Sequence, residues 1–163
     1  DTFMAAVKCK RVTYVAAAES NRTCLRAHAA AWGRSGVKVF VDAHKEETAK
    51  AMAALGKATV FQYSPRCAPF SQAFRGGAAR RAAAVTEALR ETMETLRYVR
   101  IALPKVIIIE NVRMGGTVRG RYEATLRQGC GGRYSWVVAR CSVAAGGELT
   151  SRERDWFIGT LGE

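Results

Sequence analysis

Short hydrophobic runs alternate with alanine-rich stretches of helical periodicity along the first two thirds of the chain. The runs are rich in valine and isoleucine, and the helical stretches end at a glycine or a proline. This order predicts an α/β fold. The predicted strands cover residues 12–16, 37–41, 59–63 and 105–109, and the predicted helices cover 21–32, 46–55 and 78–103.

The last of these helices and the strand after it carry the strongest pattern. Apolar residues of the helix recur at spacings of four, four, three and three: Val85, Leu89, Met93, Leu96 and Val99. Pro104 ends the helix. The β-branched run at 105–109 then predicts a strand of a parallel sheet, buried on both faces.

The final third of the chain has a different composition. Residues 113–133 are rich in glycine and arginine, which predicts either a flexible basic loop or a short helix around 122–128. Two further strands are predicted at 134–140 and 156–159. With 163 residues in total, we expect one domain over 1–163 with a single hydrophobic core.

The charge balance points to a polyanionic partner. The chain has 26 Lys and Arg against 14 Asp and Glu, a formal net charge of +12. Such an excess favours DNA, RNA or a ribonucleoprotein surface, although a basic protein without such a partner can have the same composition. No apolar run approaches the roughly 18 residues of a membrane-spanning helix, so no membrane partner is expected.

The cysteines indicate a reducing environment. Their number is odd, they form no C-x-x-C pair, and no histidine lies at ligand spacing: Cys9, Cys24, Cys67, Cys130 and Cys141. We therefore expect free thiols in an intracellular protein and no metal site. Because the chain begins with Asp1 rather than methionine, we also expect it to be part of a longer chain or a larger complex.

A cysteine and a glutamate stand at the ends of two predicted strands. Cys67 lies between two prolines directly after strand 59–63, and Arg66 beside it would favour the thiolate. Glu110 follows strand 105–109, and the two side chains face one crevice if the strands are parallel neighbours. A carboxyl beside a thiol suits addition to a ring whose nitrogen must be protonated. The alternative is a structural cysteine and a solvated strand-end carboxylate.

Three segments resemble motifs of the cytosine-C5 methyltransferases and occur in the family's order. Residues 64–71, Ser-Pro-Arg-Cys-Ala-Pro-Phe-Ser, resemble the catalytic loop, usually Pro-Cys-Gln-Pro-Phe-Ser. Residues 103–112 resemble the Pro-Lys-hydrophobic-Glu-Asn-Val motif, and residues 150–159 are similar to the Gln-x-Arg-x-Arg segment with its following strand. The resemblance implies a Rossmann-like, S-adenosylmethionine-dependent core. It would have a mostly parallel sheet with helices on both faces, incomplete at both ends and without a target-recognition domain.

The resemblance also implies roles for individual residues. Cys67 would attack C6 of a cytosine flipped out of its stack, and Glu110 would donate a proton to N3. Asn111 would hold the glutamate-bearing loop, while Arg152 and Arg154 would hold the flipped base and its phosphates.

Further residues would bind the cofactor and the nucleic acid. Glu19, at the end of the family's second strand, would accept both ribose hydroxyls of S-adenosylmethionine, and Asp42 would meet its adenine. The remaining cofactor-binding candidates are Ser20, Ala43 and Pro65, and the nucleic-acid-binding candidates are Arg66, Ser71, Arg119 and Arg121.

The chain departs from the family pattern at several positions. The family's Phe-x-Gly-x-Gly-Gly loop is not found, the first glycine being Gly33, and Arg66 and Ala68 replace the usual proline and glutamine around the cysteine. Three functions therefore remain: a DNA cytosine-C5 methyltransferase core, a transfer-RNA cytosine-C5 methyltransferase, or a degenerate member. The last would serve as a basic structural, nucleic-acid-binding or ribonucleoprotein-binding subunit. A nuclear location would suit a eukaryotic DNA-modifying enzyme, and an organelle stays open.

Overall fold

The computed structural model describes residues 16–19, 21–32, 37–56, 58–71, 73–142 and 153–162. These ranges contain five α-helices and six strands. The helices are α1 (Arg22–Trp32), α2 (Glu46–Ala53), α3 (Ala78–Thr95), α4 (Arg97–Ala102) and α5 (Gly116–Gly129). The strands are β1 (Ala16–Glu19), β2 (Lys38–Val41), β3 (Val60–Tyr63), β4 (Val106–Val112), β5 (Tyr134–Ser142) and β6 (Glu153–Leu161).

The described strands form a parallel pair and a mixed four-stranded sheet. Strand β1 pairs with β2, and Glu19 lies opposite Val41. The larger sheet has the order β3-β4-β6-β5. Strands β3 and β4 are parallel, whereas β6 runs antiparallel to both β4 and β5. The α/β class is confirmed, but a mostly parallel sheet is not, because two of the four described pairings are antiparallel.

The core lies between the larger sheet and the helices that cover one of its faces. Ile107 and Ile109 of β4 and Phe157 of β6 have no exposed surface, and they pack with buried residues of α3, α4 and α5. Burial alternates strictly along β4, so residues 106, 108, 110 and 112 on the opposite face are only half-buried. The prediction of a strand buried on both faces is therefore wrong for the described part of the molecule.

The predicted long helix is two helices. Leu96 ends α3 and begins α4, with a ψ of −4° in place of the usual helical value near −42°. Leu96 is fully buried and packs against Gly129, so tertiary packing supports the break. The apolar stripe continues through it, which is why periodicity alone predicts one helix.

Four elements are longer than predicted: α5, β4, β5 and β6. The basic segment forms helix α5 over fourteen residues, so a flexible loop is excluded there and the helix exceeds the predicted 122–128. Strand β4 continues through Glu110 to Val112, because β6 pairs with it as far as the Val112–Arg154 position. Glu110 and Asn111 therefore lie within β4, which ends at Val112, rather than in a loop after the strand.

Some predictions fall outside the described residues. They include the first four residues of the predicted strand 12–16, Gly33, and the start of the 150–159 segment. In the ranges that are described, no helix is both long enough and apolar enough to cross a membrane.

Candidate active site

The candidate nucleophile loop, residues 64–71, leaves the larger sheet at the end of β3, and Glu110 lies near the same end of the neighbouring strand β4. Tyr63, the last residue of β3, lies opposite Ile109 in the parallel pair with β4. Cys67 is exposed and begins a short 3-10 turn, Ala68–Phe70. Its carbonyl accepts the N–H groups of Phe70 at 3.0 Å and Ser71 at 3.1 Å. The backbone at the thiol is therefore held in a closed turn.

Aromatic packing fixes the underside of the nucleophile loop. Phe70 is buried, and its ring meets that of Tyr122 on α5 edge-on, with centroids 5.5 Å apart. The Tyr122 ring in turn lies 5.0 Å from Phe157 of β6. Pro65 and Pro69 are also buried. The loop is thus packed onto the core on either side of the exposed cysteine.

Arg154 holds the carboxylate of Glu110. The Nε of Arg154 lies 2.6 Å from Oε1 of Glu110, and the two side chains are 22% and 26% exposed. Arg154 pairs with Val112, two residues along β4 from Glu110, so both charges project from the half-buried face of the sheet. Both residues are predicted site residues, and the structure brings them into contact.

Asn111 lies on the opposite, helix-covered face. It is buried, and its Oδ1 accepts the N–H of Val112 at 2.8 Å, which ties the backbone beside Glu110. Its Nδ2 and the Tyr122 hydroxyl are buried without a hydrogen-bond partner in the described ranges. Burial raises the pKa of Tyr122, and nearby Thr92 and Asn111 oppose that rise.

A buried charge cluster next to Asn111 was not predicted from the sequence. Asp155 has no exposed surface, and its carboxylate accepts hydrogen bonds from Arg140 Nε at 2.7 Å and from the Met114 N–H at 2.8 Å. Burial alone would raise the pKa of Asp155, but these hydrogen bonds and the Arg140 charge outweigh burial and lower it. Asp155 carried no distinct signal in the sequence, because it ends a run of charged residues that includes Glu153 and Arg154. The cluster fixes the backbone that follows β4.

Two carboxylates stand at neighbouring strand ends of the smaller sheet. Glu19 ends β1, and Asp42 follows β2 with a left-handed φ of 62°. Oε1 of Glu19 accepts the Asn21 N–H at 2.7 Å, and Oδ1 of Asp42 accepts the His44 N–H at 3.0 Å. Acceptors at the ends of parallel strands are the groups that bind the hydroxyls and amino group of a nucleoside. These acceptors therefore suit the ribose hydroxyls and the adenine amino group of the S-adenosylmethionine that the resemblance implies.

The other cofactor candidates differ in position. Ala43 lies in the turn after Asp42, and Pro65 is buried at the start of the nucleophile loop. Ser20 and Arg152 lie outside the described residues.

The four nucleic-acid candidates lie on two elements. Arg66, on the nucleophile loop, is 61% exposed and binds Glu91 of α3 at 3.0 Å, and the Ser71 hydroxyl accepts the Ala73 N–H at 3.1 Å. Arg119 on α5 pairs with Glu123 at 3.4 Å, and Arg121 on the same helix is exposed. Arg66 is thus engaged by a carboxylate, a contact that its sequence position gave no means of predicting.

The two described cavities lie away from Cys67 and Glu110. One, of about 500 Å³, is lined by Leu103, Tyr134 and Leu161 at the opposite edge of the larger sheet. The other, of about 390 Å³, lies between α2 and the end of α4. In the described ranges no three His, Cys, Asp or Glu side chains could hold a metal ion.

Comparison with solved structures gives the same fold in three methyltransferases. The first is a protein named as a DNA modification methyltransferase encoded within an E. coli prophage. It has a TM-score of 0.66 and 20% identity over 90% of this chain and 40% of its own. The methyltransferase EhMeth of Entamoeba histolytica gives 0.66 and 18%, over 93% of this chain and 45% of its own. The Dnmt2 methyltransferase of S. pombe gives 0.65 and 20%, over 99% and 47%.

This likeness establishes the fold. The chain has the fold of these methyltransferases, as the resemblance of its motifs implied, and it spans less than half the length of each. No protein-family model matches the chain, and no curated protein matches its sequence.

Proposed function

We propose that this chain is the catalytic core of a DNA cytosine-C5 methyltransferase. The observation that carries the proposal is the placement of Cys67 and Glu110 at the carboxyl ends of two hydrogen-bonded parallel strands, with Arg154 bound to the glutamate. An exposed thiol and a fixed carboxyl that follow neighbouring parallel strands are the two groups that addition to a pyrimidine ring requires. The fold shared with three methyltransferases supports the same chemistry.

The reaction begins on a cytosine flipped out of the helix. The Cys67 thiolate forms a bond to C6, the electrons of the C5–C6 double bond move towards C5 and N3, and the Glu110 carboxyl gives a proton to N3. S-adenosylmethionine, when bound, supplies the electrophilic methyl group that C5 accepts. A water molecule takes the C5 proton, the C5–H electrons re-form the C5–C6 double bond as the sulfur–C6 bond breaks, and the N3 proton returns to Glu110, which restores the aromatic ring and the thiolate.

The residues around this pair orient it. Arg154 keeps the Glu110 carboxyl at the sheet edge. The Asn111 side chain accepts the Val112 N–H and so holds the backbone directly after Glu110. Glu19 and Asp42 would hold the nucleoside half of the cofactor through their carboxylates. Arg119 and Arg121 on α5 would bind phosphates and supply the salt-sensitive part of the affinity.

Covalent trapping tests the proposal. The chain is incubated with S-adenosylmethionine and random-sequence DNA whose cytosines are all 5-fluorocytosine, since fluorine at C5 blocks the final elimination. We expect a denaturant-resistant protein–DNA complex with the wild-type chain and with Cys24→Ser, an exposed cysteine on α1, but none with Cys67→Ser. A complex with Cys67→Ser would show that another group is the nucleophile.

A parallel reaction with transfer RNA containing 5-fluorocytidine identifies the substrate. Trapping on DNA supports the proposal, whereas trapping on RNA alone would retain the chemistry and assign a transfer-RNA methyltransferase. The charge of +12 favours both polyanions equally.

A catalytically degenerate, nucleic-acid-binding subunit is the second candidate. It is favoured by the departures from the family pattern at Arg66 and Ala68 and by the ion pair that joins Arg66 to Glu91. It predicts nucleic-acid binding whose affinity falls steeply with salt, by a logarithmic slope of about 0.9 per phosphate contacted, without any covalent complex. Binding of that kind by a folded chain that does not trap would establish this alternative.

A further inference from the structure

Helix α3 contacts the nucleophile loop on both sides of Cys67. On the upstream side, Arg66 Nη1 donates to Glu91 Oε1 at 3.0 Å. On the downstream side, Arg81 Nη2 donates to the carbonyl of Ser71 at 3.0 Å, and its guanidinium lies 5.6 Å from the centre of the Phe74 ring. The loop is therefore held by one helix at two points, with the thiol between them.

Glu91 is the more firmly placed partner of the upstream pair. Its side chain is 15% exposed, whereas that of Arg66 is 61% exposed. Its backbone carbonyl accepts the Thr95 hydroxyl at 3.1 Å and lies 3.1 Å from Nδ1 of His44. His44 Nδ1 also lies 2.9 Å from the Thr95 hydroxyl. The Glu91 carboxylate thus projects from a hydrogen-bonded turn of α3, whereas the Arg66 side chain that binds it lies mostly in solvent.

The contacts around Glu91 also reach the candidate cofactor loop. The His44 N–H is bound by Asp42 Oδ1 at 3.0 Å, so the loop after β2 is held against the same turn of α3. One helical turn therefore fixes the backbone on the cofactor side through His44 and on the nucleophile side through Arg66.

We propose that Glu91 is a positioning residue that holds the Cys67 turn through Arg66. The proposal rests on Cys67 being the nucleophile, as argued above. Arg66 is adjacent to Cys67, whose carbonyl closes the turn, so loss of the ion pair frees the residue that directly precedes the turn. Pairs this exposed contribute little to global stability, and the effect is expected in the local order of the loop.

Hydrogen exchange of two amides tests the proposal without any need for activity. The N–H groups of Phe70 and Ser71 both donate to the Cys67 carbonyl, so their exchange rates report opening of this turn. We expect Glu91→Gln to raise both rates about two- to fivefold, the range an exposed ion pair supports. The matched control is Glu94→Gln, three residues further along α3, which loses a pair with Arg90 and leaves the loop alone.

A charge swap supplies the rescue. The double variant Arg66→Glu with Glu91→Arg restores an attractive pair in reverse, and we expect exchange at Phe70 and Ser71 to return to within twofold of wild type. Unchanged exchange in Glu91→Gln, or equal acceleration in Glu94→Gln, would overturn the proposal.

The trapping reaction separates positioning from mere local stability. At saturating 5-fluorocytosine DNA, Glu91→Gln is expected to slow covalent complex formation at least threefold without weakening DNA binding. Faster exchange with an unchanged trapping rate would overturn the positioning role. If the wild-type chain does not trap at all, the proposed function fails, while the exchange experiment still decides whether Glu91 holds the loop.

Discussion

Arg154 and Glu110 meet across the antiparallel pair of β6 and β4, with Nε and Oε1 2.6 Å apart. The register that joins Val112 to Arg154 is what brings the guanidinium beside the glutamate. Because both side chains are about one quarter exposed, the pair orients the carboxylate more than it stabilises the fold. This contact places the carboxyl at the sheet edge from which the Cys67 loop also departs.

The first prediction concerns Glu110 as the proposed general acid. Glu110→Gln keeps the size of the side chain and can still accept from Arg154, but it cannot supply a proton to N3. General acid catalysis typically contributes about 10²- to 10⁴-fold, so trapping on 5-fluorocytosine DNA should slow by at least 100-fold. Single-turnover trapping measures this effect.

The control for Glu110 is Glu153 at the start of β6, which pairs with Arg113 on the exposed surface. Glu153→Gln should trap at the wild-type rate, and both variants should melt within a few degrees of the wild-type chain. An equal loss of trapping rate in the two variants would mean that trapping requires negative charge near the sheet edge rather than an acid at position 110.

The second prediction concerns the cofactor. Glu19→Gln retains the oxygen that accepts the Asn21 N–H but removes the charge that would hold two ribose hydroxyls. Hydrogen bonds to charged groups contribute about 1.5–3 kcal/mol, so the Kd for S-adenosylmethionine should rise roughly 10- to 100-fold by calorimetry. Glu46→Gln, which removes a surface pair with Lys50, should leave the Kd unchanged. A wild-type chain that folds but does not bind the cofactor would contradict the cofactor assignment.

Local patterns predicted most of the elements because their signals lie within each element. The helix at 21–32 begins beside Asn21, whose Oδ1 accepts the Thr23 and Cys24 N–H groups, and it is confirmed in the structure. The extension of β4 to Val112 could not be predicted in this way. Its cause is pairing with β6, which is far away in sequence. The break at Leu96 likewise lies at a contact between distant elements, because Leu96 packs against Gly129 of α5.

The residues of the candidate site likewise differ in whether their signal is local in sequence or depends on contacts between distant elements. Cys67 and Glu110 were predicted because each follows a hydrophobic run, and the parallel pairing of β3 and β4 places them at one edge. Glu91 carried no sequence signal, since it lies 25 residues from Arg66 within a helix of alternating charges. Contacts between distant elements require the register and the tertiary packing.

The third prediction compares two glycines of α5. A Cβ at Gly129 would lie 2.6 Å from Leu96 Cδ1 and 3.2 Å from Met93 Sδ, whereas a Cβ at Gly120 would meet nothing within 4 Å. Gly129→Ala should therefore lower the free energy of unfolding by about 1–3 kcal/mol, the usual cost of overpacking. Gly120→Ala should raise it by up to about 1 kcal/mol through helix propensity.

Urea unfolding of the two glycine variants tests this contrast, since both changes add the same methyl group to the same helix. Stabilisation by Gly129→Ala would show that Leu96 can move aside, and the break between α3 and α4 would then not depend on this contact.

The last prediction concerns the buried carboxylate of Asp155 and pH. The pKa of Asp155 is lowered in the folded chain, because hydrogen bonds from Arg140 and the Met114 N–H outweigh the opposing effect of burial. Its contribution to stability is therefore complete above the unfolded-state pKa of about 3.9 and is lost as pH falls through the lower folded-state pKa.

Asp155→Asn should lower the free energy of unfolding at pH 7 by about 2 kcal/mol, since the amide N–H group would face the donors of Arg140 and Met114. The difference between the wild-type chain and this variant should shrink as pH falls below about 4, because the protonated carboxyl resembles the amide. Urea unfolding at pH 7, 4 and 3 measures the difference in free energy of unfolding between the two chains. A difference that stays constant across that series would show that the charge of Asp155 does not stabilise the loop after β4.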